Sequence, residues 1–93
     1  MEFNMNVRDS KDQIKKIREL LLEIFERLSL KFSNSFTISN MAIFLQEHHY
    51  ISQDYSNRLK SLEKIENIKD SKQLNDEIND LRLYLLSKFY HYI

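Results

Sequence analysis

The chain has no glycine, no proline, no cysteine and no tryptophan among its 93 residues. Each absence closes a class of chemistry. Phosphate-cradling loops, the dinucleotide fingerprint and the nucleophile elbow all need glycine where the backbone approaches a ligand or turns left-handed. Without cysteine there is no disulfide framework, thiolate nucleophile or Cys-ligated metal, and a reducing, cytoplasmic setting is expected. Tight β-hairpins rely on Gly-containing turns, so a β protein is not expected either. No apolar run approaches the roughly 20 residues that span a bilayer. The N-terminal residues Met1–Asn6 lack the basic-then-apolar order of a secretory leader.

What is present is balanced. Fourteen Lys+Arg face fourteen Asp+Glu, and 42% of the residues are apolar. Residues 1–50 and 51–93 each hold seven basic and seven acidic side chains. No basic face emerges, so nucleic-acid binding has no electrostatic footprint. The length fits one domain, residues 1–93, with 1–7 expected as a flexible tail.

Apolar spacing of three and four predicts helices throughout. Ile14, Ile17, Leu21, Ile24 and Leu28 mark a first helix over about Ser10 to Phe32, capped by Asp9 or Ser10, with Asp12–Lys16 and Glu23–Arg27 as i,i+4 pairs. Asn34 is the candidate left-handed residue of the first connection. A short helix from about Asn40 to His49, capped by Thr37 or Ser39, carries Met41, Phe44 and Leu45. Ser52 caps a third helix that runs to about Ile65, with Tyr55, Leu59, Leu62 and Ile65 as its stripe and Asp54–Arg58 as a pair. Asn67 and Ser71 or Asp70 frame the last connection, and Leu74, Ile78, Leu81, Leu85 and Phe89 line a final helix. The expected fold is all-α: a four-helix bundle-like single domain, with long first and last helices and a short helical hairpin between them. Connections of about three to six residues would make neighbours antiparallel.

Few constellations carry chemistry. His48 and His49 point about 100° apart on a helix and so do not share a metal; they read as a helix-end feature beside the last carbonyls. His91 stands alone near the other end of the chain. Glu19, Glu23 and Glu26, and Asp76, Glu77 and Asp80, read as solvated faces, because no Glu-x-x-His accompanies them. No catalytic, cofactor-binding or metal-binding residue is assigned, and no cofactor is expected. The C-terminal segment differs. Tyr84, Phe89, Tyr90, Tyr92 and Ile93 exceed what one helix face needs, and Tyr and Phe favour interfaces. They are the candidate partner-binding residues, for a protein partner or a second copy. The alternative is that this end packs inside its own domain beneath the Phe36 connection.

Phe44-Leu45, then Tyr50-Ile51-Ser52, then Leu59, Leu62 and Ile65 leading to Glu66-Asn67, resemble the HEPN superfamily of small helical domains over residues 40–93. Asn67 matches the Asn of that family's RNase motif. Glu66 stands where its Arg would be, and no His follows nearby. The resemblance therefore implies a scaffold, dimerisation or antagonist module rather than an RNase, within a nucleic-acid-associated toxin–antitoxin or defence system. Small helical immunity proteins are similar in size, but their helix order fits less well. The residues themselves point to a non-enzymatic protein–protein interaction module, such as an antitoxin, immunity or inhibitor protein, acting through the aromatic C-terminal helix.

Overall fold

The computed structural model describes residues 7–64 and 72–92, with side chains from Lys11 onward. Four helices follow one another: α1 Val7–Arg27, α2 Ile38–Glu47, α3 Gln53–Glu63 and α4 Lys72–Lys88. The fold is all-α, with long outer helices and a short hairpin between them. Asn67, Asp70 and Ser71, assigned above to the last connection, and Ile65 lie outside the described residues.

Helix starts follow side-chain chemistry. Thr37 Oγ1 accepts the Asn40 amide at 3.1 Å and caps α2. A second free amide of that end, Ser39 N–H, donates to Glu63 Oε1 at 2.9 Å, so the end of α3 helps cap the start of α2. Ser52 Oγ accepts the Tyr55 amide and caps α3. The start of α1 departs from expectation: it begins at Val7, so Asp9 and Ser10 lie within the helix and not at its cap, and residue 7 is no part of a tail.

Helix ends show what replaces glycine. Ser29 (φ 54°) and His49 (φ 65°) adopt the left-handed conformation. After α1, Ser29 N–H bonds Glu26 O and Leu30 N–H bonds Phe25 O. After α2, His49 N–H bonds Gln46 O and Tyr50 N–H bonds Leu45 O. Both are Schellman ends, closed here by residues with a Cβ at a cost of about 1 kcal/mol each. The left-handed turn after α1 thus falls at Ser29 and not at Asn34, and α1 stops five residues short of Phe32. Apolar residues continue past its end because Leu28, Leu30 and Phe32 pack against the core from the connection.

That connection, residues 28–37, turns back along α1. The ring of Phe25, nearly buried, meets Phe32 at 5.1 Å, Phe36 at 6.3 Å and Phe44 at 5.4 Å between centroids. Arg18 Nε, nine residues before the helix end, donates to Phe36 O at 3.2 Å. Nine residues are about 14 Å of helix. The chain has therefore retraced much of α1 before α2 begins.

Helix directions follow from cross-contacts. Ser39 meets Glu63 and Ala42 O accepts from Ser56 Oγ at 3.2 Å, so α2 and α3 are antiparallel. Arg58 meets Glu77 and Asp80 while Tyr55 stacks on Tyr84, so α3 and α4 are antiparallel. Gln13 shares a groove with Asn75 and Asn79, and further along both helices Leu20 and Glu23 share one with Leu86, so α1 and α4 run in the same sense. Hence α1, α2 and α4 point one way and α3 the other. The expected antiparallel packing of α1 and α2 does not occur, because ten connecting residues rather than six allow the return.

One core joins all four helices: Ile17, Leu21 and Ile24 of α1, Met41 and Leu45 of α2, Leu59 and Leu62 of α3, Ile78, Leu81 and Leu85 of α4, and Phe89 just beyond. Ala42 and Ser56, both fully buried, let α2 and α3 approach closely; the Ser56 hydroxyl is satisfied by Ala42 O. Truncating Ile24 or Leu81 to alanine is expected to cost about 2–5 kcal/mol each in denaturant unfolding. A loss below about 0.5 kcal/mol at both would contradict these helix faces.

Candidate partner-binding site

α4 carries two different sides. Ile78, Leu81, Leu85 and Phe89 are buried against the bundle. Phe89 N–H still bonds Leu85 O, so the helical turn continues past Lys88, and its ring lies 6.1 Å from Tyr50. Phe89 is 1% exposed, which makes it a core residue and corrects its assignment to a partner surface. The contact that buries it comes from the α2–α3 turn at Tyr50, whereas Phe36 sits with Phe25 and Phe32 against α1.

Tyr84 is also engaged internally. Its ring stacks on Tyr55 with centroids 3.6 Å apart and planes 3° apart, leaving it half-buried. The Arg58 guanidinium lies 4.7 Å from the Tyr55 centroid, a cation–π contact on the same ring. Tyr90 and Tyr92 are the residues that face solvent, at 72% and 51% exposure. Ile93 lies outside the described residues. Leu83, 52% exposed and two turns before Tyr90, lies on the same side of α4 as Tyr90, whereas Tyr92 stands beyond the helix in the closing turn, its N–H bonded to Phe89 O. Leu83 was visible in the sequence as one more apolar position than a single face requires.

Beside this surface, α3 and α4 are clamped by charge. Arg58 Nε and Nη2 donate to the two oxygens of Glu77 at 2.8 Å each, and Nη2 also donates to Asp80 at 2.7 Å. The guanidinium is held more firmly protonated than usual, chiefly by the Glu77 hydrogen bonds, with burial opposing. Glu77 is held below the usual glutamate range by the hydrogen bonds from Arg58, again against burial. These carboxylates are therefore not a plain solvated face, and the expected Asp54–Arg58 pair gives way to them. Of the expected intrahelical pairs, Glu23–Arg27 forms at 3.4 Å. An open cleft of about 530 Å³ adjoins the clamp, lined by Lys72, Gln73 and Asp76 as well as by its three members.

The histidines occupy turns. His48 is the C-cap of α2, with its ring 4.2 Å from Phe44, and His49 is the left-handed residue after it. His91 lies in the final turn, its ring 5.4 Å from that of Tyr90. Among the described residues no group of three or more His, Asp or Glu side chains is placed to hold a metal ion. No described helix is long and apolar enough to cross a membrane.

The clamp makes a pH prediction. A carboxyl with a depressed folded-state pKa adds stability above its unfolded pKa and loses it as pH falls through the folded value. Stability should therefore drop on acidification through and below the usual glutamate range, and Arg58→Ala should flatten that drop. At neutral pH the same variant should cost about 1 kcal/mol, as expected for a partly exposed ion network. Urea unfolding from pH 7 to pH 3 checks both, and equal pH slopes in the two proteins would contradict the clamp.

Comparison with protein-family models, curated proteins and solved structures finds no match to this chain.

Proposed function

We propose that this chain is a non-enzymatic protein-interaction module whose partner docks on the outer, C-terminal side of α4, with Leu83, Tyr90 and Tyr92 as anchors. The observation that carries this reading is the exposure of two tyrosines and a leucine, 51–72%, on a segment whose helical neighbours Leu85 and Phe89 are fixed in the core. Side chains held this way are pre-positioned. A tyrosine ring offers a large contact area for two torsions, so ordering it on binding costs little. Three such groups make the energetic centre of an interface rather than the whole of it, and polar neighbours would supply the rim. An antitoxin, an immunity protein or an inhibitor would work in this way, by covering a surface on its target. The alternative of self-association through the same anchors uses the same chemistry.

Support for a binding role over a catalytic one comes from how the ionisable groups are used. Among the described residues, Arg58 and Glu77, each of which holds the other in its charged form, satisfy each other and brace two helices. The test is affinity capture from native cells with the intact chain, Leu83→Ser and Tyr90→Ser, each checked for helicity by circular dichroism. A folded variant should lose the captured partner roughly 10-fold or more, in the range of an interface hot spot. Undiminished capture by both folded variants would contradict the site. RNA cleavage abolished by changing His48, His49 or His91 would overturn the non-enzymatic reading.

A further inference from the structure

The outer stripe of α1 is antisymmetric in charge. Asp12, Lys16, Leu20, Glu23 and Arg27 recur at spacings of four, four, three and four, so they lie along one side of the helix. Reading outward from Leu20, one direction meets Lys then Asp and the other meets Glu then Arg. All four charged residues are exposed, and Leu20 is half-buried between them. Leu20 and Leu86 together line a groove of about 250 Å³ between α1 and α4, with Lys16, Glu19, Glu23 and Arg82 around it. The Glu23–Arg27 contact within the stripe is a long surface pair, 3.4 Å with both side chains about half exposed, and so is easily exchanged for another partner.

A two-fold axis across α1 near Leu20 turns this order into complementarity. Two copies of α1 laid antiparallel bring Lys16 opposite Glu23 of the other copy and Asp12 opposite Arg27, each twice by symmetry. Leu20 of each copy then faces the groove floored by Leu20 and Leu86 of the other. A parallel arrangement would set like charges against each other at every level. The chain carries no net charge, so no overall repulsion opposes the meeting of two copies.

We infer that the α1 stripe is a docking surface for a second copy of this chain, in antiparallel register with Leu20 at the two-fold axis. Glu19 and Arg82, of opposite charge, share the groove beside Leu20 and Leu86. The surface is centred on α1 whereas the partner anchors lie on α4, and the two adjoin at Leu86, one helical turn from both Leu83 and Tyr90.

Sedimentation velocity of the full chain from about 10 to 200 μM, at low ionic strength, tests it. A monomer–dimer equilibrium is expected. Lys16→Glu and Glu23→Lys should each weaken it about 10-fold or more, because one reversal spoils two contacts. The double variant K16E/E23K, which restores opposite charges with the signs exchanged, should recover most of the loss. Helicity of all three variants is confirmed by circular dichroism. A monomer at every concentration, or a double variant no better than the singles, overturns the inference. Either result leaves the α4 anchors untouched, since these are read out by capture with Tyr90→Ser.

Discussion

The ring of Phe25 is the contact on which the topology turns. Phe32 and Phe36 from the returning segment and Phe44 from α2 all meet it edge-on or tilted, so the ten residues after α1 are folded back along the helix they have just left. Arg18 completes the return by holding the Phe36 carbonyl. Had the chain reversed within a short loop, α2 would have run against α1, and α4 would have ended at the opposite end of the bundle. Because it retraces its path first, α1 ends at the same end of the bundle as α2 and α4, whose closing turns meet because both run against α3, and Phe89 lies beside Tyr50. The burial of Phe89 and the exposure of Tyr90 and Tyr92 both follow from where that segment emerges.

Helix interiors are legible in the sequence because burial imposes a period. Ile17, Leu21 and Ile24 recur as a core stripe must, and Thr37 and Ser52 announce helix starts because their hydroxyls reach amides that have no helical partner. Helix ends are less legible. Left-handed glycine has a compositional signature, but a left-handed serine or histidine has none, so Ser29 and His49 are set by the Schellman hydrogen bonds around them and not by residue type. The run Leu28, Leu30, Phe32 extends an apolar pattern beyond α1 although the helix has ended, because the connection packs on the same core.

The candidate site was half legible for a related reason. A surplus of aromatic residues can be counted, but which of Phe89 and Tyr90 faces inward depends on one residue's rotation, about 100°. The Arg58 clamp could not be read at all. Asp54 offers Arg58 a partner one turn away, yet Glu77 and Asp80, three apart on α4, present carboxylates on adjacent turns to the antiparallel α3, and two charge-assisted acceptors outweigh one local pair. Contacts distant in sequence that depend on helix direction leave no periodic trace.

The shared direction of α1, α2 and α4 has an electrical consequence. Each helix carries a dipole, and three aligned against one leave a net moment of about two helices. A chain with zero net charge is thereby a polar object, with a negative pole where three helices end. Arg27 and Lys88 lie in the last turns at that pole and partly offset it. The exposed tyrosines stand at the same pole, so an approaching molecule meets an oriented field as well as an apolar patch.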